Sequence, residues 1–194
     1  FIILALLAMR TSQKVRSQNS SAVFQELKDG FQYVTGFAPI RYIILLLGFV
    51  SFLNMPYVVL MPVFARDILQ GSSHTLGFLM GATGIGALAG ALYLASRESV
   101  IGLGRLIVIS TCIFGCGLIA FSFSRYLPLS LCLMLVTGFG MIVCMASCNT
   151  IVQTVVEEDK RGRVMSFYAM AFIGMAPFGS LIGGSLAHKI GAPL

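Results

Sequence analysis

The 194-residue chain is 57% hydrophobic and only 10% charged, with a formal net charge of +6 and a mean hydropathy of +0.92. Soluble domains carry about 25% charged residues, so this composition excludes an ordinary soluble fold and describes an integral membrane protein. The positive balance has to be read by position, because basic residues of membrane proteins gather in cytoplasmic loops; it is no argument for a nucleic-acid partner.

Residues 1–9 are apolar but too short to cross a bilayer, which takes roughly 20 helical residues. They read as the end of a transmembrane helix in a longer protein, with neither the charged leader nor the small-residue cleavage site of a signal peptide. Residues 10–39 form a polar, cytoplasmic linker. Within it Val23, Leu27, Phe31 and Val34 recur at steps of four, four and three, which predicts an amphipathic helix lying in the headgroup interface. Gly36 and Pro39 end it.

Residues 40–194 form the transmembrane region. Five apolar stretches predict helices at about 42–64, 76–96, 106–123, 127–151 and 164–187, each long enough to span. The first carries Asn54, Pro56 and Pro62, with a bend expected near Pro56. The second holds Gly77, Gly81, Gly86 and Gly90, two G-x-x-x-G pairs that let another helix backbone come close. The third has few polar side chains and is the span best suited to face lipid, whereas Pro177 among glycines predicts a kinked, closely packed fifth helix. Between the fourth and fifth lies a dense charge cluster, Glu157 to Arg163. Counting alternate loops puts Arg10, Lys14, Arg16, Lys28, Arg41, Arg97, Arg105, Lys160, Arg161 and Arg163 on one side, against Arg66, Arg125 and Lys189 on the other. The richer side is expected to be cytoplasmic.

Ionisable groups at lipid depth are expensive and are retained for function, yet none of the five apolar stretches contains one. The polar candidates are Asn54 and Tyr57 in the first span, Thr83 in the second, and Thr137, Asn149 and Gln153 in the fourth. Each can line a path or hydrogen-bond between helices, worth under about 2 kcal/mol. Cys112, Cys116, Cys132, Cys144 and Cys148 lie in two adjacent spans with methionines nearby. Soft sulfur can select Cu(I), but buried Cys behaves as a small hydrophobe, so no metal and no cofactor are expected. No P-loop, nucleophile elbow or His-Glu-x-x-His motif occurs, and the chain is read as no enzyme. Glu157, Glu158 and Asp159 read as a solvated face rather than a paired-carboxylate site.

Asp159 Lys160 Arg161 Gly162 Arg163 Val164 Met165 Ser166 Phe167 Tyr168, followed by Pro177 Phe178 Gly179 Ser180 Leu181 Ile182 Gly183 Gly184, resembles the loop and eleventh helix of the major facilitator superfamily. The branch is that of bacterial siderophore and macrolide exporters. Glu26 to Val34 is similar to that branch's central loop helix. The resemblance covers nearly the whole chain. It implies an all-α, polytopic helical bundle, five helices of the C-terminal half of that fold plus the interfacial helix, with the N-terminal half as a missing partner. It also implies a multi-pass protein of the bacterial inner membrane, exporting a small organic compound such as a siderophore or drug by alternating access. A proton is the candidate coupling ion, and the lipid bilayer and the small-molecule substrate are the other partners. On this mapping Asn54 and Asn149 are the leading cavity-lining residues, and Asp159, Arg161 and Arg163 a cytoplasmic gate or latch. The superfamily's charged loop motif after the second of these helices is only partly present, in Gly90, Arg97 and Arg105. The alternative is a non-transporting assembly partner or a degenerate, truncated paralogue.

Overall fold

The structure, a computed structural model, describes residue 28, residues 30–97 and residues 99–190, the last five of these by backbone alone. The helix end expected over residues 1–9, the linker that follows and the first half of the amphipathic helix lie outside the described residues. Five helices are long and apolar enough to cross a membrane. They are α1 (Ala38–Val63), α2 (Ser73–Ala95), α3 (Leu103–Phe123), α4 (Leu127–Val155) and α5 (Glu158–Ile190). Among the described residues there is no strand. The protein is an all-α, multi-pass membrane bundle.

Local sequence explains the boundaries. Pro39 and Pro128 stand in the first turns of α1 and α4, where a missing N–H costs nothing and the fixed φ suits a helix. Ser72 caps α2, its Oγ accepting from the His74 N–H at 3.3 Å. Gly102 takes φ +86° before α3, a left-handed conformation open to glycine at little cost. A π-helical turn, Phe64–Ile68, continues α1 into its loop, so the first membrane helix extends past the expected end at residue 64. The fifth likewise begins at Glu158, inside the charge cluster, because acidic residues suit a helix N-terminus.

Two sets of helices pack together. α4 is sandwiched between α2 and α3, while α1 pairs with α5. On α3, Leu103, Ile107, Ser110, Phe114, Gly117 and Phe121 are buried, recurring at steps of four and three as a single packed stripe. The rest of α3 is exposed at Val108, Ile109, Ile119 and Phe123. Ser110 and Thr111 return their hydroxyls to the Ile107 carbonyl at 3.1 and 2.7 Å. On α1, Pro56 leaves the Phe52 carbonyl without its helical N–H. That carbonyl is where Gly179 of α5 sits, so close that a Cβ there would overlap the Phe52 oxygen. One turn on, a Cβ at Gly183 would come 2.6 Å from Pro56 Cβ. Ser51 adds a hydrogen bond from its Oγ to the Phe172 carbonyl. Thus the glycines of α5 close around the proline of α1.

Two core clusters mark opposite ends of the bundle. One joins Val34, Ile40, Ile107, Cys144, Cys148, Val152, Val156 and Val164; the other joins Met61, Ala65, Leu79, Phe121 and Met134. The first unites the starts of α1, α3 and α5 with the end of α4, and the second unites the ends of α1 and α3 with the starts of α2 and α4, so these helices alternate in direction. Arg41, Arg97, Arg105 and the 157–163 cluster therefore share an end, and Arg66 and Arg125 lie at the other. Residues 30–36 are helical, and Val34 is drawn into the first cluster. Phe31, expected on the same apolar face, is 60% exposed; its ring stands 6.3 Å from Phe167 at the outer edge of the contact. The expected packing of α2 is also only half realised. Gly86 and Gly90 meet α4, but Gly77 and Gly81 have nothing within 4 Å.

Candidate functional site

The helix crossing that sets the site is the one between α2 and α4. A Cβ at Gly86 would overlap the Leu135 carbonyl, and a Cβ at Gly138 would overlap the Thr83 carbonyl. The two backbones thus touch at reciprocal glycines, the arrangement that small residues permit between membrane helices. This contact holds Thr83 of α2 beside the face of α1 that carries Asn54 and Tyr57.

Asn54, Tyr57, Met80, Thr83, Gly84 and Met141 line one cavity of about 270 Å³, with Val58, Met61 and Ala87 completing its wall. Three of the six expected path residues are brought together here from two helices. The Tyr57 hydroxyl donates to Met134 Sδ at 3.1 Å and lies 3.5 Å from Thr83 Oγ1. Thr83 in turn bonds the Leu79 carbonyl at 2.9 Å. The Tyr57 ring packs edge-on to Phe121, centroids 6.3 Å apart, and Tyr57 also lines a second, apolar cavity of about 330 Å³ with Leu53, Phe64 and Leu118. Among the described residues, no charged side chain lines either one.

Asn54 differs from its neighbours. It is 4% exposed, and its Oδ1 is buried with no hydrogen-bond partner among the described residues. A buried amide oxygen without a partner costs about 1–3 kcal/mol, so the fold carries this group at a loss. Ser147 Oγ is likewise buried without a partner, but it lines none of these cavities. Of the two, Asn54 is the one that also lines a cavity.

The other expected path residues stand elsewhere. Thr137 is 1% exposed, donates to the Leu133 carbonyl at 2.7 Å and fills the place left by Gly117 at the α3–α4 crossing. Asn149 and Gln153 bond to each other, Nε2 to Oδ1 at 2.9 Å, one turn apart near the end of α4. They lie roughly 12 Å and more along the helix beyond Met141, at 1.5 Å per residue. Sequence reasoning passed over Met80 and Met141, which read as ordinary core; a pair of thioethers opposite an Asn and a Tyr is visible only once α2 and α4 are docked. Cys144 and Cys148 belong to the core, with Cys144 Sγ 3.2 Å from Thr111 Oγ1, while Cys112, Cys116 and Cys132 are exposed free thiols.

At the charged end, Asp159 is exposed in the first turn of α5, whereas Arg161 and Arg163 are half-buried. Arg161 Nε is buried without a partner among the described residues. Arg163 packs against the 30–36 segment, where a Cβ at Gly30 would meet Arg163 Cβ at 3.4 Å and the Phe167 ring at 2.9 Å. Lys160 pairs with Glu157 at 2.8 Å.

Comparison with known proteins places this geometry. A family model for transmembrane secretion effectors of the major facilitator type matches residues 1–194. The chain is 27% identical over 135 residues to the Staphyloferrin A transporter of Staphylococcus aureus (strain NCTC 8325 / PS 47), covering 70% of this chain and 34% of that protein. It is 26% identical over 178 residues to the multidrug efflux pump Tap of Mycolicibacterium fortuitum, covering 91% of this chain and 43% of that protein. It therefore spans less than half the length of these curated relatives. No solved structure gives a significant match.

Proposed function

Because the chain belongs to the transmembrane secretion effector family of the major facilitator superfamily, we propose that it supplies one wall of the substrate path in a secondary exporter. In this reading the protein moves a small organic compound out of the cell by alternating access, the two halves of the whole transporter rocking about a site near the middle of the membrane. The observation that carries it is Asn54: a buried amide with an unmet hydrogen-bonding oxygen, on the wall of a cavity shared by α1, α2 and α4. Such a group weakens the fold and is retained where a ligand uses it.

Asn54, Tyr57 and Thr83 would offer the substrate neutral hydrogen-bonding groups, and Met80 and Met141 an adaptable apolar surface. Thr137 serves the helix crossing in this reading, and Asn149 with Gln153 would line the path nearer the charged end. The relatives' names point to a siderophore or a drug as cargo. A proton as coupling ion would titrate groups outside α1–α5, whose lipid-depth stretches hold no acid. Ten basic residues on the side of the 157–163 cluster favour a cytoplasmic placement of that end, in a bacterial inner membrane.

The test is transport by the protein from its complete reading frame, in inside-out vesicles given a pH gradient and either a lipophilic drug or a siderophore. Accumulation above empty vesicles is expected for one of the two classes. Accumulation of neither, with the protein folded and inserted, would favour a non-transporting assembly partner instead.

Asp159, Arg161 and Arg163 are assigned a latch at the cytoplasmic end, closing α5 against its neighbours. If Arg geometry matters, Arg161→Lys and Arg163→Lys should each lower the export rate about fivefold or more at normal expression, since Lys keeps the charge but not the bidentate fork. Unchanged export would reduce the cluster to a topology anchor.

A further inference from the structure

The charged end also holds a cavity that shares only Arg163 with the proposed latch. It measures about 380 Å³ and is lined by Gly30, Gln32, Tyr33, Lys160, Arg163 and Val164, between the 30–36 segment and the start of α5. Two cations therefore enter it from one face of α5, spaced three residues apart. Lys160 Nζ sits 4.5 Å above the Tyr33 ring while its other side holds the Glu157 carboxylate at 2.8 Å. Gln32 adds an amide and Val164 an apolar floor.

Its depth is set by what surrounds it. Tyr42 is exposed at the same end of the bundle, and tyrosine is enriched at the membrane–water boundary. Arg41 lies 5.0 Å above the Tyr42 ring and donates to the Thr35 carbonyl at 3.3 Å, so its charge is held at that level as well. A cavity with two cations at headgroup depth, on the side where basic residues gather, has the chemistry that receives an anionic phospholipid.

We propose that this cavity binds the phosphate of an anionic phospholipid headgroup between Lys160 and Arg163. Glu157 acts as the resident competitor: it occupies the Lys160 ammonium when no lipid is bound. The Glu157–Lys160 pair is exposed on both partners, 40% for Lys160 and 66% for Glu157, and exposed pairs exchange readily. A lipid bridging the 30–36 segment and α5 would fasten the loop helix to the bundle.

The two cations and the acid give opposite expectations. Native mass spectrometry of the whole protein, titrated with phosphatidylglycerol and with phosphatidylcholine of the same acyl chains, reads both. Phosphatidylglycerol should be retained on the order of tenfold more strongly. Lys160→Gln with Arg163→Gln should bring it down to the phosphatidylcholine level, and Glu157→Gln, a surface change that leaves the fold alone, should raise it. Equal retention of the two lipids, or a Glu157→Gln protein that binds phosphatidylglycerol no better, would overturn the proposal. So would displacement of the lipid by millimolar inorganic phosphate, which would make the cavity a site for free phosphate.

Discussion

Gly138→Val is expected to drive α2 away from α4 and to lower the stability of the membrane-inserted protein by about 3 kcal/mol. The obstacle to the new side chain is the Thr83 carbonyl, a backbone atom that cannot rotate aside. Reciprocally, Gly86 meets the Leu135 carbonyl, so the helices cannot slide to relieve the clash without a second one. In membranes, where burying apolar surface gives helices no drive to associate, such close backbone contact is the main source of affinity. Thermal unfolding of the detergent-solubilised protein, followed by size-exclusion chromatography, measures the effect. Gly77→Val is the control: with nothing within 4 Å of that site, it should change stability by no more than about 0.5 kcal/mol. Equal loss in both variants would mean that α2 and α4 do not meet as described.

Asn54→Leu is expected to do the opposite to the fold while damaging function. Leucine has the same branched set of side-chain heavy atoms as asparagine, with the adjoining cavity to take its extra bulk, and it removes a buried oxygen that lacks a partner; stability should hold or rise by about 1 kcal/mol. Export should fall about tenfold or more, because the substrate loses the hydrogen bond assigned to Asn54, about 1.4 kcal/mol per factor of ten. A residue whose task was to tie helices together would behave differently, with stability and transport falling in step. Measuring both on the same preparation separates the two roles.

Much of the fold was legible in the sequence because it rests on hydropathy and length, which the bilayer enforces residue by residue. The third span, expected to face lipid, buries a stripe from Leu103 to Phe121 that its all-round apolar sequence did not show, whereas Gly86 and Gly90 announce a close helix neighbour. Which neighbour was not legible. Gly77 and Gly81 carry the same spacing as Gly86 and Gly90, yet they border a groove beside α4 in which an added Cβ would touch nothing, since a glycine pair specifies a possible contact without naming its partner. The burial of Val34 and the exposure of Phe31 also depend on how the loop segment meets α1, α4 and α5. In the candidate site, Asn54 and Tyr57 stood out as polar residues at lipid depth. Thr137 did so for the same reason, but its hydroxyl returns to its own helix at 2.7 Å, an option always open to Thr and closed to Asn54. The methionines opposite gave no signal, because Met at helical spacing is ordinary core until docking shows which face it presents.

Substrate protection at Thr83 tests the central reading most directly. A cysteine placed there by Thr83→Cys lies on the wall of the proposed path, and one placed by Leu92→Cys lies on the same helix at a position 63% exposed and outside the cavity. With a membrane-permeant maleimide, and the parent protein as the background for native cysteines, a saturating exported compound should slow labelling at Thr83→Cys severalfold and leave Leu92→Cys unchanged. Equal labelling of Thr83→Cys with and without the compound would contradict the account of α1, α2 and α4 as a wall of the substrate path.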